Sequence, residues 1–304
     1  MKLAQSLFEP VISQISAEHI NRPSTTMLQD AWRRFKQNKL AMAGLITLAG
    51  LIIFAFIGPF LIKYNYYTND LMNTYLKPSW SHPFGTDSLG RDSMARLMYG
   101  GRVSLAIGFV SVLINLSIGV FYGGISGYFG GRIDNIMMRI IDVIYSIPEL
   151  LYVILLMVVM GKGGLLNIMI VLGIVNWMGM ARIVRGQILA LREQEYVLAA
   201  QTLGASTSRL MLKHLIPNAM GPIIITSALA IPSAIFMEAF LSFIGIGIQP
   251  PFASWGSLAA DGRLNIPSYP YALFFPAAAI AITMLAFNFV GDGLRDAFDP
   301  KMRK

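Results

Sequence analysis

Few residues able to make or break bonds stand here at spacings that would let them do so. The three histidines, His19, His82 and His214, fall in three separate segments, and there is no cysteine, so neither a shared metal site nor thiol chemistry is available. No His-Glu-x-x-His and no Gly-x-Ser-x-Gly occurs. Phosphate cradling of the Gly-x-x-x-x-Gly-Lys-Ser/Thr kind is absent too, because Gly161-Lys162 is followed by glycine. The chain therefore lacks the usual means to hydrolyse ATP. The remaining candidates are charges inside apolar sequence. Arg139 and Asp142, three apart, share a helix face and can pair. Glu149 follows Pro148 in an apolar run, where a carboxylate is costly and faces water or a partner. It is the candidate for a translocation path, although a structural carboxylate in the bundle interior is the favoured reading. Glu238 is placed near the outer end of a later run, with no special role.

The elements that must position these groups are membrane helices. Hydrophobic residues make up 55% of the 304 and charged residues 13%, a balance foreign to a water-soluble globule. Six stretches are apolar enough to span: Leu40–Ile62, Val103–Gly123, Met138–Met160, Leu165–Met180, Ala219–Phe236 and Leu273–Val290. Backbone groups must be satisfied within each span, so the fold is an all-α bundle; period-two alternation, as in a β-barrel, is missing. Residues 1–39 read as a polar lead-in without an apolar leader, with an amphipathic helix around Leu28–Gln37 that sets Trp32 and Phe35 opposite Arg33 and Lys36.

With both termini inside, 17 of the 24 Lys and Arg residues (Lys2, Arg22, Arg33, Arg34, Lys36, Lys39, Arg132, Arg139, Arg182, Arg185, Arg192, Arg209, Lys213, Arg295, Lys301, Arg303 and Lys304) are cytoplasmic. The net charge of +8 thus reports orientation and contact with anionic lipid headgroups, not nucleic acid. The layout is a lead-in (1–39), a first span (40–62), an extracytoplasmic loop (63–99), a core (100–294) and a cytoplasmic tail (295–304). Small residues recur every four places at Gly100, Ser104 and Gly108, and at Gly119, Gly123, Gly127 and Gly131. Helix packing is expected for the first ladder; packing and loop formation weigh equally for the second.

On the cytoplasmic side, between the fourth and fifth spans, lies Glu195-Tyr-Val-Leu-Ala-Ala-Gln-Thr-Leu-Gly204. At about 1.5 Å per residue this helix is roughly 13 Å long, too short to cross a bilayer. Tyr196, Ala199, Ala200 and Leu203 recur at helical spacing, the alanines leave room for a close neighbour, and Gly204 supplies a left-handed stop. It reads as a plug for a socket on another protein.

Ala199-Ala200, Gly204 and Pro217 resemble the Glu-Ala-Ala loop of permeases in bacterial binding-protein-dependent ABC importers, with Leu198 standing where the general pattern has glutamate. Leu203-Gly204-Ala205 and His214-Leu-Ile-Pro-Asn218 resemble the oligopeptide and dipeptide branch. Further matches to its C-type subunit are Arg33-Arg34-Phe-Lys36, Phe84-Gly-Thr-Asp-Ser-Leu-Gly-Arg-Asp92, Tyr99-Gly-Gly-Arg-Val-Ser104, Ser242-Phe-Ile-Gly-Ile-Gly247, Gln249-Pro-Pro251, Ser254-Trp-Gly256 and Gly291-Asp-Gly-Leu-Arg-Asp296.

The resemblance implies six transmembrane helices, a five-helix type-1 importer core plus one N-terminal span, in the bacterial cytoplasmic membrane. It implies that Glu195, Tyr196, Ala199, Ala200, Leu203, Gly204 and Ala205 form a cytoplasmic coupling helix seated on an ATPase. Implied partners are a homologous B-type permease chain, two ABC ATPases that hold ATP and Mg, an extracytoplasmic peptide-binding protein and a peptide substrate; no cofactor is bound by this chain. Importers of dipeptides, nickel, haem or glutathione, and a stand-alone secondary transporter, are the alternatives.

Overall fold

In the computed structural model, residues 26–161 and 164–299 are described; Lys2, His19, Arg22 and the rest of 1–25, Lys162, and 300–304 with Lys301, Arg303 and Lys304 lie outside them. Helix α1 (Met27–Gln37) opens on a capping box, with Thr26 accepting from the Gln29 amide and the Gln29 side chain accepting from the Thr26 amide. Its Phe35 is buried with Ala31, Ala41 and Ala297, whereas Trp32 is exposed beneath the Lys36 ammonium. Asn38 then caps α2 (Lys39–Phe56) by accepting from the Leu40 and Ala41 amides.

Four further long apolar helices follow: α3 (Ser93–Phe129), α6 (Leu165–Arg192), α8 (Thr207–Phe243) and α10 (Tyr271–Phe298). These four outrun the stretches read from hydropathy, whereas α2 stops at Phe56, short of the expected Ile62. The stretch 138–160 differs most. It forms two helices, α4 (Gly131–Tyr145) and α5 (Glu149–Met160), bent by 85° across Ser146-Ile-Pro148. Proline disfavours helical backbone in the residue before it, which ends α4 there. Among the described residues, five helices are long and apolar enough to span, and six if the bent pair α4 and α5 is counted as one broken span.

The second glycine ladder settles as packing. A Cβ on Gly119, Gly123 or Gly127 would run into Met180, the Ala181 carbonyl or Ile188 of α6, so α3 and α6 lie backbone to backbone. Gly131 meets nothing within 4 Å and instead opens α4, at φ +54°. The first ladder packs also: Gly100 against Ser254 and Trp255, Gly108 against Ile231 and Ile235. One end of the bundle holds the 57–92 loop and α9 (Trp255–Arg263); the other holds α1 and the short helix α7 (Glu195–Thr202).

Candidate functional site

Helix α7 is held from below by one face and stopped by its own backbone. Val197, 2% exposed, drops into a cluster of Val184, Ile188, Leu210, Leu215 and Ile223, with Ala200 and Ala205 half-buried against it. At the C-terminus the Ala205 amide donates to the Ala200 carbonyl (3.0 Å) and the Gly204 amide to that of Gln201 (2.9 Å), with Gly204 at φ +83°. These paired bonds form a Schellman stop, which needs the left-handed conformation glycine adopts without cost. Ser206 accepts from the Arg209 amide and starts the next turn, and Leu210–Leu215 is π-helical where the chain enters the span.

The face expected to act as the plug is outward. Tyr196 is 43% exposed and Leu203 88%; Leu198, Ala199, Gln201 and Glu195 are exposed as well. Sequence periodicity grouped Ala200 with Tyr196, Ala199 and Leu203. The structure turns Ala200 partly inward and supplies Val197 as the anchor, a residue that local pattern could not single out because its neighbours come from α6 and α8.

The base of this helix is tied to the bundle. Arg192, at the end of α6, donates to the Tyr128 carbonyl at the end of α3 (3.1 Å). Asp134 of α4, buried, accepts from Ser126 of α3 (2.6 Å) and pairs with Arg185 of α6. The expected Arg139–Asp142 pair is replaced by Asp142–Arg182 at 2.8 Å, with Arg182 also lying over the Tyr145 ring. That partner, on α6, approaches because α3 carries α4 and α6 together.

Two carboxylates differ from expectation in their burial. Glu149 is not in the bundle interior: it is exposed in the first turn of α5, beyond the bend, and makes no hydrogen bond or ion pair among the described residues. Glu238 is the interior one, 0% exposed. Its carboxylate accepts from Ser254 (2.6 Å) and Ser242 (2.7 Å) and lies 3.5 Å from the Ser104 hydroxyl, which in turn accepts from the Trp255 amide (3.0 Å). It joins α3, α8 and α9. A later serine at helical spacing, Ser242, was the one local signal for this role.

The Phe84–Asp92 loop is a structural knot. Asp92 caps α3 by accepting from the Ala95 amide (2.7 Å) and meets His82 Nδ1 at 2.8 Å. Asp87 accepts from the amides of Leu89 and Arg91 (2.8 and 3.0 Å) and from the Arg91 guanidinium (2.7 Å), and pairs with buried Arg96. Burial alone would raise the Asp87 carboxyl, but Arg96, Arg91 and those amides together hold it below its ordinary 3.8. No group of His, Asp and Glu suited to a metal ion occurs among the described residues.

A broken-span helical bundle with a short, anchored, outward-facing helix between two spans defines a polytopic membrane protein of the type-1 importer permease architecture. Consistent with that, the inward-facing MetNI methionine ABC transporter shares the fold at TM-score 0.53 and 18% identity, covering 66% of this chain and 94% of that one. Residues 119–304 match the family described as binding-protein-dependent transport system inner membrane component, and residues 26–78 match the N-terminal TM domain of oligopeptide transport permease C. The oligopeptide transport system permease protein OppC of Bacillus subtilis is 52% identical over 99% of both chains. The dipeptide permease DppC of that organism is 55% identical over 95% of this chain and 90% of its own. OppC of Escherichia coli is 42% identical over 94% and 95%. The chain belongs to the inner-membrane-component family of binding-protein-dependent transport systems.

Proposed function

We propose that this chain is one transmembrane half of an ATP-driven peptide importer, with oligopeptides as substrate. Its partners are a homologous B-type permease, two cytoplasmic ATPases that carry ATP and Mg, and an extracytoplasmic peptide-binding protein. The observation that carries the reading is the outward apolar face of α7 on a helix whose other face is locked by Val197. A monomer would gain by burying Leu203, so its exposure marks a docking surface. With both termini cytoplasmic, α7 faces the ATPases, and Glu195, Tyr196, Ala199, Ala200, Leu203, Gly204 and Ala205 form the seat. ATP-driven closure then moves α7 and, through Arg192 and Asp134, the α3–α6 pair: two states of the bundle biased by a ligand on a partner.

Replacing Ala199 by Arg or Leu203 by Asp should leave the complex of two permeases intact in the membrane but abolish ATPase association and peptide uptake. Wild-type uptake by both variants would overturn the seat. Orientation has its own check: cysteine at Ser79 should react with an impermeant thiol reagent in intact cells, and cysteine at Ser206 only after permeabilisation. Equal labelling would reverse the assignment. Glu149 is assigned to the translocation path, on its exposure and lack of a partner. Glu149→Gln should then lower uptake at normal complex abundance, whereas unchanged uptake removes it from the path. The similar identities to oligopeptide and dipeptide permeases favour dipeptides as a second substrate reading, which competition of di- and pentapeptides for uptake separates.

A further inference from the structure

Helices α3, α6 and α8 part around a partly open cavity of about 170 Å³, lined by Ser111, Asn115, Asn176, Thr226 and Ser233 among apolar neighbours. Ser111 is the midpoint of α3 and Asn115 lies one turn on; Asn176 and Thr226 lie near the midpoints of α6 and α8. The polar groups therefore meet at mid-membrane depth. No charged side chain lines the cavity.

Some of these groups are satisfied locally: Ser111 donates to the Met169 carbonyl (3.1 Å), Asn176 to that of Leu172 (3.1 Å) and Ser233 to that of Leu229 (3.4 Å). Asn115 is different. It is 4% exposed, and its side-chain oxygen is buried without a donor. Thr226 has no side-chain hydrogen bond among the described residues. A buried acceptor left unmet forfeits its hydration with nothing in return. Polar lining at this depth persists where it faces water or a passing substrate.

We infer that this cavity, centred on Asn115, receives a backbone amide of the peptide in transit; the inference rests on the peptide-import reading above. A peptide N–H meets the unpaired Asn115 oxygen, and Thr226 offers a hydroxyl that donates to the neighbouring carbonyl. A neutral, amide-seeking lining suits cargo of varied side chains, because the backbone is common to all of it. At about 30 Å³ per molecule, several waters fill the space between substrates.

The test uses the reconstituted complex of both permeases, the ATPases and the binding protein in proteoliposomes. Uptake of tetra-alanine is compared with that of its analogue carrying one central ester in place of an amide, which lacks the N–H. Discrimination by the binding protein is common to every permease variant and cancels in the comparison. Asn115→Leu should reduce tetra-alanine uptake about tenfold, the worth of one well-made hydrogen bond at 1.4 kcal/mol per decade. The amide-to-ester ratio should fall with it. Thr226→Val, which keeps shape and suits a membrane helix, should lower tetra-alanine uptake by a smaller factor, and it decides the matter should Asn115→Leu fail to assemble. In Asn115→Leu, equal loss for amide and ester would show that the cavity holds water alone and overturn the assignment, as would an unchanged ratio at normal uptake; should that variant fail to assemble, wild-type tetra-alanine uptake by Thr226→Val would overturn it. Failure of the wild-type complex to take up any peptide while hydrolysing ATP would instead overturn the peptide-import reading, and this inference with it.

Discussion

The loop at one end of the bundle and the short helix at the other solve opposite problems. Around Asp87 every strong group is answered: two amides and two guanidinium groups converge on one carboxylate, and Arg96 is buried behind it. Around α7 little is answered outside the Val197 anchor, and Leu203 lies almost bare. A region meant to hold its shape alone closes its polar accounts internally; a region meant to meet a partner leaves apolar surface open and keeps only its footing.

The largest break in that contrast should come at the loop. Arg96→Ala leaves Asp87 short of its buried partner, and removing one member of a buried pair costs about 3–5 kcal/mol. Detergent-solubilised complex should lose thermal stability and membrane abundance; unchanged melting would dissolve the distinction between the two ends. Next comes Glu238→Leu, which strips the hydroxyls of Ser242 and Ser254 of their acceptor at about 1–3 kcal/mol, while Glu238→Gln should be tolerated better. Equal abundance of the two variants, by quantitative blotting, would deny Glu238 its joining role.

Gly204→Val should cost about 1–2 kcal/mol of local stability, since a β-branched residue resists the left-handed stop. Limited proteolysis near 204 should quicken while the spans stay protected. Acid sharpens the contrast least. Because Asp87 is held below its ordinary 3.8, its contribution is complete above that value and is lost only as pH falls through the lower folded one. The loop should keep its protease resistance from neutral pH down to about 4, and loss of resistance near pH 6 would contradict the sign.

Much of the architecture was legible in the chain. The spans, the short helix and its Gly204 stop rest on hydropathy, length and a glycine, all local. The 85° break was not legible: hydropathy ran through it, and a proline alone does not mark a break, since Pro222, Pro232 and Pro276 lie inside continuous helices. Partnerships were not. Asp142 meets Arg182, and Glu238 meets Ser104 and Ser254, through contacts between residues far apart in sequence. Spacing along one helix pointed to Arg139 and placed Glu238 near the outer end without a role. Which face of α7 is buried follows likewise from α6 and α8, not from its own eight residues.

The glycine ladder between α3 and α6 has a mechanical corollary. Two cylinders whose backbones already touch at Gly119, Gly123 and Gly127 have no clearance to slide or roll against each other. They form a single beam, clamped at one end by Arg192 and Asp134. A machine containing such a beam must place its bearings elsewhere. Regular α-helix is interrupted outside this pair at the elbow Ser146-Ile-Pro148 and at the π turn Leu210–Leu215.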